Sequence, residues 1–206
     1  AHGFGYLQTS YSPHERRKRI LAPASPQTVK TESEKGEISF LAFNTFDTVS
    51  DEEMKTSFRT FKKYVQDNQQ FLNLPLILLV NGGIQRITPL TIAAGAGLEM
   101  KVGILLEHNA DINGNGHYPP IFAACDYGDE EMVNYLLDNH ANCLIRFNGN
   151  NIYDHAKDEY CIGAITEFLL EKLEQNKTLE REIKELLAYG EEMHKDSPKE
   201  IKELLA

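Results

Sequence analysis

No stretch of this sequence stays apolar long enough to cross a bilayer. The longest such run, residues 74–80 (LPLILLV), falls far short of the roughly 20 residues a spanning helix needs. The N-terminus carries no apolar core of a signal peptide. Positive charge is also scarce: 21 Lys and Arg stand against 31 Asp and Glu, a formal charge of −10. Phosphate binding rests on clustered basic side chains, so DNA or RNA is not expected as a main partner. Cysteines number three (Cys125, Cys143, Cys161), an odd count without metal-ligand spacing. That excludes a disulfide framework and points to reduced thiols in a cytoplasmic compartment.

A phosphate cradle is missing too, although "AAGAGLEMKVG" at residues 93–103 has the look of one. A P-loop needs Lys and then Ser or Thr after its last glycine, to reach phosphate and hold Mg²⁺. Gly97 is followed instead by Leu98 and Glu99, which sets a carboxylate where phosphate would sit. A dinucleotide fingerprint needs a third glycine where Met100 stands. No cofactor or metal is therefore expected.

What is present reads as helices. With 206 residues and 41% hydrophobic content, the chain can bury a core in one or two domains. Residues 1–49 read as an arm, a linker or the remnant of an upstream domain, since Ala1 stands where a cut chain would begin. Residues 1–35 show no apolar period and carry +3, leaving −13 for the remainder. Residues 37–46 (EISFLAFNTF) are plausible as a strand or hairpin. Ser50 and Glu53 form a capping box, after which Met54, Phe58, Phe61 and Val65 fall on one helical face. Residues 73–83 (NLPLILLVNGG) are expected as a short second helix, with Asn73 as cap and Gly82–Gly83 as stop.

The same two-helix grammar repeats. Thr88 caps, Pro89 takes the first helical position, and Leu90, Ala93 and Ala94 form a thin apolar face. Gly97 supplies a left-handed stop, Val102, Leu105 and Leu106 form a second stripe, and Asn109 ends it. A second copy aligns without gaps, with Pro120 on Pro89, Ala124 on Ala93 and Gly128 on Gly97, an offset of 31 residues. A weaker third copy sets Ala156, Ile165 and Phe168–Leu169 on the same marks, 32 residues further on. Periods of this size mark stacked helix pairs.

Residues 88–113, with T-P-L-x-x-A-A, a central glycine, V-x-x-L-L and A-D-x-N, resemble the ankyrin repeat. The resemblance covers about residues 50–173, with Thr91 in place of the usual histidine and Asn109 and His140 in place of glycine. The outer copies are degenerate, as units that cap a solenoid are. The resemblance implies a mainly α solenoid of antiparallel helix pairs that binds a protein partner through its concave face and hairpin tips. Carried onto matching positions, that strip comprises Gln85, Ile87, Gly95 and Ala96, then Asn115, Tyr118, Asp126 and Tyr127, then Phe147, Asn150, Asp158 and Glu159. Tyr118, Tyr127 and Phe147 are the expected anchors, and Asp126, Asp158 and Glu159 imply a partner with a basic surface. No membrane contact is implied.

Two enzyme readings stand beside this one. The chain can be the recognition half of a larger enzyme, such as a secreted bacterial effector, or a cysteine hydrolase using Cys125, Cys143 or Cys161 with His117, His140 or His155. In the repeat register these cysteines and His155 take packed positions, so structural roles are expected and no catalytic residue is assigned. The basic run Arg16-Arg17-Lys18-Arg19 reads as linker charge, with nuclear import and an anionic anchor as alternatives. Residues 174–206 read as a helical extension that lengthens the stack, packs across its end or pairs with a partner. Its second capping box, Ser197 to Glu200, leads into "EIKELLA", an echo of residues 182–188.

Overall fold

The architecture, a computed structural model, describes residues 30–31, 51–80, 83–156 and 158–194. The basic run at residues 16–19, the strand expected at residues 37–46 and the capping serines Ser50 and Ser197 lie outside the described residues. The chain divides between Pro120 and Ile121 into two compact units. Each is taken by itself below.

The first unit opens with the short strand β1 (Lys30–Thr31) and helix α1 (Asp51–Asp67). Phe61 and Val65 are buried and Phe58 is half-buried, as the helical spacing requires. A single 3-10 turn (Gln69–Phe71) follows, and there the expectation of a second helix fails. The chain forms β2 (Leu76–Val80) and β3 (Gly83–Ile87), paired antiparallel from Leu76↔Ile87 to Val80↔Gly83. A short apolar run carries no period that separates strand from helix, so the turn chemistry decides. Val80 pairs with Gly83, which leaves Asn81-Gly82 in sequence between the strands, the pair a type I′ hairpin favours. β1 joins the other edge of β2 through Lys30↔Ile77 and Thr31↔Leu76, so this piece of the expected arm belongs to the sheet.

Asn73 is not a helix cap either. Its side chain accepts from the Asp111 N–H at 2.6 Å and donates to the Asn109 carbonyl at 3.0 Å, while its own carbonyl accepts from Asn115 Nδ2 at 2.9 Å. One residue thereby holds a distant loop at three points.

Helices α2 (Pro89–Gly95) and α3 (Glu99–Glu107) form as the sequence predicts. The Thr88 hydroxyl accepts from the Thr91 N–H at 3.3 Å, a cap worth about 1 kcal/mol. Leu90, Ala93 and Ala94 are fully buried. Gly97 turns left-handed at φ 66°, letting the Leu98 N–H reach back to the Ala93 carbonyl at 2.9 Å.

In the second unit α4 (Pro120–Tyr127) and α5 (Glu130–Asp138) reproduce this local geometry. Gly128 has φ 66° and the Asp129 N–H meets the Ala124 carbonyl at 3.1 Å. His140 ends α5 at φ 69°, where Asn109 ends α3 at φ 67°. The third copy keeps only one turn of its first helix, α6 (Ile152–His155), before the longer α7 (Glu159–Gln175) and α8 (Glu180–Met193). α5 packs on α7, and α8 packs on both α7 and α6. Ile183, Leu186, Leu187 and Gly190 form the buried stripe of α8. At Gly190 the approach is so close that a Cβ would lie 2.7 Å from Cζ of Tyr153. α8 thus packs against the last helix pair, one of the roles open to the extension.

Candidate functional site

Side chains can be offered to a partner only where the backbone is held away from the core, and hairpin tips do this. In the second unit Phe147 and Asn150 exchange both backbone hydrogen bonds at 3.0 Å. Between them Asn148 (φ 52°) and Gly149 (φ 85°) are both left-handed, a two-residue I′ turn. In the first unit Asn115 (φ 51°) and Gly116 (φ 77°) repeat the conformation. Asn-Gly occurs at residues 81, 113, 115 and 148, and the pair at 115 lies 34 residues after the first and 33 before the last, close to the period of the helices.

Several expected site residues face inward. Ile87 and Tyr118 are 1% and 6% exposed, and Gly95 is buried. Ile87 ends β3 where the chain turns into α2, and the Tyr118 carbonyl accepts from Thr91 Oγ1 at 2.7 Å. Thr91 thus uses its hydroxyl to tie the first helix to the segment before α4. Asp126 is also corrected: its side chain is 3% exposed and meets His155 Nδ1 at 3.1 Å, so its carboxylate does not face a partner. The ring of Phe122 stacks on His155 with centroids 4.5 Å apart.

The others are better placed. Ala96, Tyr127, Phe147, Asn150 and Asp158 are half-buried, while Asn115 and Glu159 are exposed. Gln85 sits in β3 opposite Leu78, and its side chain is outside the described residues. Asp158 accepts from the Tyr160 N–H at 3.0 Å and caps α7. Burial, aided by the Asp126 charge, pushes the Tyr127 phenol up to about 12. Tyr127 therefore stays neutral through physiological pH.

The thiols behave as packing groups. All three are buried. Burial, then the neighbouring Cys161 and Asp126, raises the Cys125 thiol well above its usual range, and burial pushes Cys143 up to about 11. An attacking thiolate needs the opposite shift. Among the described residues no His, Cys, Asp and Glu cluster has metal-binding geometry, and no helix is long and apolar enough to cross a membrane.

Helix pairs with small-residue faces, glycine stops and Asn-Gly tips at a period of 31 to 34 residues are the parts of one repeat family. A family model described as ankyrin repeats, in three copies, matches residues 64–147. Residues 64–147 are ankyrin repeats. Ankyrin repeats are in general modules of protein–protein interaction. The matched residues include the β2–β3 hairpin and stop before α6. No curated protein matches the chain.

The signal missed in the sequence was the Asn-Gly pair at residues 81–82. Of the three further Asn-Gly pairs, those at residues 115 and 148 lie in phase with it, which points to a hairpin there.

Proposed function

We propose that the chain binds a partner protein through its second unit, with Tyr127 and Phe147 as aromatic anchors. Asn150 offers a polar contact beside Phe147, and Asp158 and Glu159 form an acidic rim. The partner segment on this reading carries Lys or Arg beside an apolar residue. Taken by itself, the first unit keeps Gln85, Ala96 and Asn115 as candidate contacts.

The observation that carries the reading is Phe147 on a doubly hydrogen-bonded tip of two left-handed residues. Such a tip holds an aromatic ring half-covered before any partner arrives, which reduces the ordering cost of binding. Aromatic anchors of this kind dominate protein interfaces. The Asp126–His155 pair adds rigidity by tying the end of α4, which carries Tyr127, to the helix just before Asp158.

The test uses Phe147→Ala with Glu159→Lys, because Tyr127 is too covered to be changed without loss of stability. The immobilised chain should retain a defined binding protein that the double variant releases, at an unchanged melting temperature. Equal retention by both chains counts against this surface.

A further inference from the structure

The second unit holds an open apolar cavity of about 250 Å³ that the binding surface above does not use. Its walls are Leu144 and Cys143 after α5, Phe168 and Leu169 of α7, and Leu179 and Ile183 at the start of α8. Lys172 stands at the rim with Nζ 5.1 Å from the Phe168 ring centroid. Two Asx turns shape the edges: Asn142 Oδ1 accepts from the Leu144 N–H, and Asn176 Oδ1 accepts from the Thr178 N–H, each at 3.0 Å. The groove is thus an apolar trough with one cation on its lip, between an inter-helix loop and the α7–α8 corner.

The sequence contains a matching ligand. Residues 182–188 and 200–206 are the same heptapeptide, EIKELLA. In the first copy Ile183, Leu186 and Leu187 are buried, so this heptapeptide already packs on this unit as an apolar face at i, i+3 and i+4. The second copy carries Ile201, Leu204 and Leu205 at identical spacing, with Glu200 flanking that face four residues before Leu204. Distance permits the match. From His194 back to Ile183 along α8 is roughly 17 Å at 1.5 Å per residue. The 6 residues from 195 to 200 reach that far when extended, at roughly 3.3 Å each, which suffices to bring Ile201 to the groove.

We propose that residues 198–206 are the occupant of this groove in the same chain. Ile201, Leu204 and Leu205 fill the trough and Glu200 meets Lys172. The groove is then a docking site for a short amphipathic segment whose charges balance, Lys199 and Lys202 against Glu200 and Glu203.

The probe is a fluorescent synthetic peptide of residues 195–206, titrated into full-length chains by anisotropy. The Leu204→Glu/Leu205→Glu chain, its own tail disabled, should bind the peptide at least tenfold more tightly than the unsubstituted chain. Adding Lys172→Glu to that chain should weaken binding, and a peptide carrying Glu200→Lys should restore it. This charge swap remains informative where a substitution in the trough would upset folding. Equal affinity of both chains, or no binding to either, overturns the proposal. So does concentration-dependent dimerisation of the unsubstituted chain that Leu204→Glu/Leu205→Glu abolishes, since the tail would then sit in a second copy.

Discussion

His155 Nδ1 lies 3.1 Å from Asp126 Oδ1 with both side chains nearly excluded from water, at 8% and 3% exposure. The bond ties α6, a single helical turn, to the end of α4, and the Phe122 ring covers the imidazole.

Removing either side chain takes a buried bond from the other. His155→Ala leaves the Asp126 carboxylate buried without its imidazole and should lower unfolding free energy by about 3 kcal/mol. Asp126→Asn, which keeps shape and hydrogen-bonding capacity, should cost about 1–2 kcal/mol. Urea midpoints of the two variants check the order. Equal, negligible losses would mean that the pair does not hold α6.

Gly190 should tolerate no side chain. A Cβ there would stand 2.7 Å from Tyr153 Cζ, and the ring is itself buried and bonded to Thr166 Oγ1 at 2.9 Å. Gly190→Ala should therefore destabilise by about 1–3 kcal/mol through overpacking, despite alanine's better helix propensity. Amide exchange of α8 should accelerate more than that of α5. An unchanged or raised melting temperature would contradict the packing of α8 on α6.

His140 pays for its left-handed backbone at φ 69°. That conformation costs a non-glycine residue roughly 1–2 kcal/mol, against the roughly 0.5–1 kcal/mol of extra chain entropy glycine loses. His140→Gly should stabilise by up to about 1 kcal/mol, seen as a melting temperature raised by a few degrees. Asn109→Gly should gain less, because asparagine tolerates φ 67° better.

Lys101 gives the chain a pH dependence of known sign. It is 1% exposed, with Nζ 5.2 Å from the Phe61 ring centroid, and burial lowers its pKa from 10.5 to about 8. Between those values the unfolded chain binds more protons than the folded one, so this group's contribution to stability rises with pH across the window. Lys101→Met should stabilise at pH 7 by about 1 kcal/mol, an advantage that shrinks from pH 8 to 10.5. Tyr127 and Tyr153, both raised to about 12, act oppositely above pH 10, but they are common to both chains and cancel in the difference. Chemical denaturation across pH 7–10 measures it.

Much of this was legible in the residues. Thr88-Pro89, the alanine face and the glycine stops announce α2 and α3, and the 31-residue offset announces α4 and α5. Each is a local signal whose cause lies within one turn of the chain. Leu76–Val80 forms a strand against the helix expected because an apolar run is equally consistent with both, and Gly82–Gly83 reads as a helix stop although Asn81-Gly82 is a pair that hairpins favour. The surface was harder still. Asp126, Ile87 and Tyr118 sit at repeat positions that the family presents to partners, yet here the imidazole of His155 and the core claim them. No pattern along the chain reveals a pairing between residues 29 positions apart.

The most direct test replaces Phe147 with a photo-crosslinking benzoylphenylalanine in the full chain and maps adducts by mass spectrometry. The account predicts adducts to one partner protein, on a segment containing Lys or Arg, which Glu159→Lys suppresses. Adducts that form from the same probe at Tyr64 but never from Phe147 would contradict the placement of the binding surface on the second unit.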